Sequence, residues 1–374
     1  MIEYVEVRSI DGVMLGIVDT ADSVIWHSVY FGVGDFEIYA PYSKANAELL
    51  VRGRLVSHSG SAEVGLIESV QYPISAQDGR SIVAAGRFVK SILDRRIIYK
   101  IDGTSVSPTI LSGNVESAAR RLVLENAVEP TDASRAISQL VLSAHSDTAP
   151  TIIDADGNAS EKQVTHDSLL EYTDSLLEEY GLGATVYLTD DGKLAYLVYA
   201  GIDRSVGNAA GREPVIFSHE YDNLSGSEYS VNETAYKSFE LIGGEGEGVD
   251  RFSVTLDRTG ETGLARRETF VDASSIKRTY KDDEGTEQTL TDAQYTLQLR
   301  ANGAQRFPDM SVIESFNGTI DLTNSIFVFG THFKLGDIVT VHEEEIGVYM
   351  NVRITEATEV QDADGYRVDV SYKA

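Results

Sequence analysis

From Tyr366 to Lys373 apolar and polar residues alternate without a break: Tyr366, Val368, Val370 and Tyr372 against Arg367, Asp369, Ser371 and Lys373. A period of two puts one set on a buried face and the other in water, which predicts a half-buried antiparallel strand. Asp364-Gly365 just before it is a turn signal, and Met350, Val352 and Ile354 share one face of the run upstream. The chain therefore ends in a hairpin. Val24–Phe31 has a different pattern, with Val24, Trp26 and Tyr30 on one face and Ile25, Val29 and Phe31 on the other. A strand apolar on both faces is either sandwiched in the fold or covered by a partner chain.

Helix signals are few. Val115, Ala118, Ala119, Leu122 and Val123 follow i, i+3, i+4, i+7, i+8 behind a capping Asn114. A second helix is predicted over 168–180, with a capping box at Ser168 and Glu171, the stripe Leu169, Thr173, Leu176, Leu177 and Tyr180, and Gly181 as its stop. Strands at Ala184–Leu188 and Leu194–Ala200 follow it, and a third helix is expected near 292–302 behind Thr291 and Gln294. The fold class is α+β and β-rich, with a small α/β unit in the middle. Loop-rich boundaries fall at Asp154–Asn158, Gly207–Gly211 and Lys281–Gly285, while Gly243–Gly248 reads as a wide, mobile hairpin loop.

Charge and composition narrow the function. With 31 Lys and Arg against 59 Asp and Glu, the net charge of −28 repels phosphate, against specific nucleic-acid binding and against anionic membranes. The chain has no cysteine, which removes disulfides, thiolate metal sites and cysteine nucleophiles. The N-terminus lacks the pattern of a signal peptide, and no apolar run reaches the length of a membrane helix. His219-Glu220 begins like a zinc-protease motif, but Asn223 stands where the second histidine belongs, and His342–Glu345 fails at Ile346. Asp154–Asn158 offers oxygen ligands without the distal Glu of a calcium loop, and any exposed turn has that composition. Gly243–Gly248 carries two carboxylates and no following Lys-Ser/Thr, so it is not a phosphate loop. No Gly-x-Ser-x-Gly elbow is present, and among so many acids no carboxylate pair is singled out for glycoside cleavage. No catalytic, cofactor-binding or metal residue is assigned, no cofactor is expected, and the chain reads as a non-enzyme.

One stretch reverses the charge. Arg80, Arg87, Lys90, Arg95, Arg96 and Lys100 stand against the single acid Asp94. Such an island either docks an acidic neighbour, another copy included, or pairs with carboxylates of its own fold.

An ordered set of segments runs from Val64–Val70 and Gly86–Ile98 through Arg135–Leu142, the helix ending at Gly181-Leu182-Gly183, Val215–Leu224, Tyr236–Glu240 and Arg267–Asp272 to Phe333–Val341 and the closing hairpin. That order resembles the tail-tip (baseplate) hub proteins of long-tailed phages. The resemblance also makes 135–142 a strand, where the residue pattern alone permits a helix. The resemblance implies two β-barrel-like hub domains with small α/β domains between them: a first barrel over 1–112, an α/β domain over 113–206, a β-rich segment of the second barrel over 207–290, and a helix with closing strands over 291–374. It implies a homotrimeric virion protein of the tail tip that meets a distal tail protein ring, the tape measure protein and tail fibre or receptor-binding proteins, and through whose bore DNA passes. The sequence stops at Ala374, so a minimal hub without an appended peptidase, lysozyme or carbohydrate-binding module is expected. A trimeric receptor- or carbohydrate-binding adhesin is the alternative, since 19 tyrosines and Trp26 could stack on sugars.

Overall fold

The C-terminal hairpin forms as its alternation demands, and it is the spine of the largest sheet. In the computed structural model, which describes all residues except 76–78, 103–104, 147, 154–157, 282–286, 306–312, 323–324 and 374, strand Val348–Asp362 pairs antiparallel with Gly365–Lys373 across a turn at Asp362↔Gly365. Val352, Ile354, Val370 and Tyr372 are buried. The opposite edge of the long strand is shared. Its first part pairs with Ile338–Glu343 and its second with Ser23–Val29, so the two ends of the chain lie in one sheet. The changeover falls at an irregularity between Ile354 and Glu356, and the Tyr30 amide donates to the Thr355 carbonyl there (2.8 Å). A bulge at that point bends the strand and lets one edge serve two partners.

Ser23–Val29 continues the sheet through Asp35–Pro41 to Gly79–Arg87. Its inner face, Val24, Trp26 and Ser28, is buried, whereas Ile25, His27 and Val29 are only half-buried. The sandwiched alternative thus holds for one face alone. Trp26 is fully enclosed: its ring lies 4.9 Å from Phe88 and His58 and 5.4 Å from Phe36, and Nε1 donates to Ser61 Oγ (3.0 Å). A smaller sheet, in the order Met14–Val18, Val5–Arg8, Leu55–His58, Gly65–Leu66, contributes Val5, Val7 and Val56 to the same core.

The α/β part follows its local signals. Helix Val115–Val123 is capped by Asn114, whose Oδ1 accepts from the Ser117 amide (3.0 Å) while Nδ2 donates to the Ala149 carbonyl (2.7 Å). Helix Leu169–Glu179 is capped by Ser168 and followed by Gly181 at φ +68°. Both pack on a three-stranded sheet of Leu140–Leu142, Leu194–Ala200 and Leu182–Leu188. Only Leu140–Leu142 of the expected strand 135–142 is extended into the sheet. Asp132 caps a 3₁₀ turn at Ala133–Arg135 through the Ser134 amide (2.9 Å), and this turn consumes the start of the segment. Replacing Asn114 by Ala removes both bonds of the cap, and we expect a loss of about 1–2 kcal/mol in urea unfolding.

Contacts divide the chain into two units, neither continuous in sequence: one of residues 1–152, 161–228 and 316–374, the other of 153–160 and 229–315. In the second, strands Ser253–Asp257, Phe239–Gly243 and Glu268–Asp272 form a sheet against helix Asp292–Gln305, burying Ile242, Val271, Tyr295 and Leu299. Thr291 and Gln294 make the predicted capping box. The Gly243–Gly248 segment does connect paired strands, but its base is anchored, because the Glu245 amide donates to Tyr295 Oη (2.7 Å) and a Cβ on Gly244 would meet that oxygen at 2.6 Å. Most of Asp154–Asn158 and of Lys281–Gly285, including the calcium-like loop, lies outside the described residues. The fold is mostly β with few helices, and among the described residues no sheet closes into a barrel.

Candidate docking surface

The structure sorts the six cations of the island into two groups. Arg87 ends strand Gly79–Arg87 and grips Glu68 with two bonds (Nε to Oε2 3.0 Å, Nη2 to Oε1 3.1 Å), reaching Asp94 with a third (3.2 Å). These bonds hold the Glu68 carboxyl below its ordinary pKa. Lys90 lies in the 3₁₀ segment Val89–Arg95, whose apolar neighbours turn it inward, so that its side chain is 3% exposed with Nζ 2.9 Å from Asp174 Oδ1. Arg96 donates to the Arg135 and Arg95 carbonyls. Arg80, Arg95 and Lys100 are exposed and have no ion pair among the described residues.

Lys100 opens a two-stranded ribbon, Lys100–Asp102 with Ser105–Ser107, that among the described residues joins no larger sheet. Ile101 and Val106 face each other across it at 58% and 46% exposure, and Ile97 just upstream is also exposed. Beside the ribbon lies a cleft of about 430 Å³ lined by Tyr99, Lys100, Ile101, Glu125, Asp132 and Arg135. The Arg135 guanidinium sits 3.9 Å over the Tyr99 ring and donates to the Ile97 carbonyl (2.6 Å), which stiffens the root of the ribbon. Charge counting finds the cations here. The apolar part is missed because Lys100-Ile101-Asp102 is too short for alternation to register.

A second polar cluster tests the reading of the chain as a non-enzyme. His219, Ser227 and Glu343 converge, but the carboxylate takes both partners: Glu343 Oε2 lies 3.0 Å from His219 Nε2 and accepts from Ser227 Oγ at 2.8 Å. In a nucleophilic triad the acid holds one ring nitrogen and the hydroxyl the other. Here both meet at Nε2, with Ser227 Oγ 3.4 Å from it, so the cluster is arranged as a tie between segments. Among the described residues no three His, Asp or Glu side chains gather as metal ligands, and no helix is long and apolar enough to cross a membrane.

Solved structures share this fold over nearly their whole length. The 43 kDa tail protein of prophage MuSo2 from Shewanella oneidensis superposes with a TM-score of 0.55 at 13% identity, covering 99% of this chain and 98% of that one. The tail protein from Neisseria meningitidis MC58 gives 0.53 at 14% identity (99% and 96%), and prophage tail protein gp18 from Listeria monocytogenes EGD-e gives 0.51 at 13% (99% and 94%). At these identities the likeness is one of fold, and that fold is the phage tail-protein type. No curated protein matches the sequence. Residues 4–372 match the family described as Siphovirus ReqiPepy6 Gp37-like protein. The chain belongs to that family, and its fold is the one seen in these phage tail proteins.

Proposed function

We propose that the chain is the tail-tip or baseplate hub: three copies form a ring that ends the tail tube, meets the distal tail protein ring and the tape measure protein, docks tail fibre or receptor-binding proteins, and lets DNA through without catalysing a reaction. The observation that carries this reading is the family match over 4–372, collinear with a tail-protein fold over nearly the full length of its structural relatives. A bore lined by part of a −28 chain would pass DNA without holding it.

Negative-stain class averages of the purified chain test the reading. Threefold rings with a central hole are expected, and antibody against the chain should decorate the distal end of intact virions. Solid three-lobed particles without a bore would favour the adhesin instead.

A further inference from the structure

We propose that His58 and Glu359 form a proton-operated latch on the seam between the two sheets that enclose Trp26, shut while the imidazole is neutral and loosened when it takes up a proton in mild acid. The proposal stands apart from the hub reading. His58 ends strand Leu55–His58 of the smaller sheet, and Glu359 lies on the long strand of the larger one, directly across the ladder from Trp26. The two side chains are 1% and 14% exposed.

The bonds around the ring place its hydrogen. Nδ1 lies 2.9 Å from the Ser59 carbonyl, which only accepts, so Nδ1 carries the hydrogen and the neutral ring presents a bare Nε2. That nitrogen is buried, has no hydrogen-bond partner among the described residues, and stands 3.9 Å from Glu359 Oε1. The other carboxylate oxygen accepts from Tyr366 Oη (2.6 Å), and burial together with Glu359 keeps that phenol protonated. Two acceptors therefore face each other with no donor between them, an arrangement rare inside folded proteins. A proton on Nε2 joins them.

Burial is the largest influence on that proton, and it disfavours the charged ring. Glu359 and the Ser59 carbonyl favour the cation, and the Met1 ammonium opposes it. Trp26, whose ring meets His58 edge-on at 4.9 Å, does not titrate. The balance leaves His58 below the ordinary histidine value. A histidine whose pKa is lower folded than unfolded binds its proton more tightly in the unfolded chain. Its contribution to stability is therefore whole above the unfolded value, about 6.5, and is lost as pH falls toward the folded one. Acid thus acts on the seam itself, and Glu359, at its rim, is the side from which a proton enters.

Trp26 is the chain's one tryptophan, so its emission reads a charge arriving on the ring beside it. Between about pH 8 and about pH 4.5 the full chain should show one reversible emission step, centred below the ordinary histidine value. The step should vanish in His58→Gln and move to lower pH in Glu359→Gln, which loses the carboxylate that favours the cation. Urea unfolding supplies the second readout: relative to His58→Gln, the wild-type folding constant should fall by up to about tenfold per pH unit below about 6.5. A step that survives His58→Gln, a Glu359→Gln midpoint unmoved or raised, or a stability difference constant across the range overturns the latch. Should His58→Gln fail to fold, the direction of the Glu359→Gln shift decides.

Discussion

Ending the chain after Asp362 will abolish cooperative folding of the larger unit. The lost strand, Gly365–Lys373, pairs with the long strand from Arg353 to Asp362 and with residues 319–321 on its other edge. Val370 and Tyr372 go with it, both buried, and Tyr372 stacks edge-on against Phe316 at 6.0 Å. Fully burying a large apolar side chain contributes roughly 1.5–3 kcal/mol. Two such losses, with a ladder unpaired along its length, approach the roughly 5–15 kcal/mol that a folded domain has in total. The long strand also holds Ser23–Val29, so the damage passes to the core around Trp26. Loss of the near-UV signal and of the thermal transition is the expected result. An unchanged Tm would mean that the hairpin is not part of that cooperative unit.

What the sequence reveals and what it conceals divide along sequence distance. Three of the helices and their caps at Asn114, Ser168 and Thr291 are legible because a cap, a stripe and a stop all lie within a few turns, whereas the six-residue helix Lys44–Leu49 behind Ser43 is too short to show a stripe. The closing hairpin was legible for the same reason. The pairing of Glu356 with Val29 had no local signal, since each strand reads as amphipathic wherever it is placed. Strand 135–142 was over-read because Asp132, just upstream, caps a turn that competes with extension. The basic island was visible as composition, but nothing in its order distinguishes Lys90, which goes inward, from Arg95, which stays out. That choice is made by Asp174, a residue of a helix far along the chain. The candidate surface is thus half legible: its cations show in the sequence, while the apolar ribbon that Ile101 and Val106 belong to appears only once the strands are placed.

Lys90 supplies the second large effect. Its ammonium is buried against Asp174 at 2.9 Å and also acts on Glu63, which accepts from Thr185 Oγ1 at 3.0 Å. Burial raises the pKa of both carboxyls above their ordinary values, and Lys90 opposes the rise. Lys90→Met leaves two acids facing the interior without their cation, and removing one member of a buried pair typically costs about 3–5 kcal/mol. Lys90→Met/Asp174→Leu removes most of the stranded charge and should recover a large part of that loss. The pH dependence has a definite sign. A carboxyl whose pKa is higher folded than unfolded binds its proton more tightly in the native state, so stability falls as pH rises from the unfolded pKa through the folded one. Lys90→Met pushes both values further up. The deficit should therefore be greatest near neutral pH and shrink as the carboxyls protonate, and Glu63→Gln in the wild-type background should stabilise at neutral pH and be silent in acid. Urea midpoints at about pH 7 and about pH 4 read this directly. A deficit of equal size at both pH values would assign the loss to packing around the lysine stem rather than to its charge.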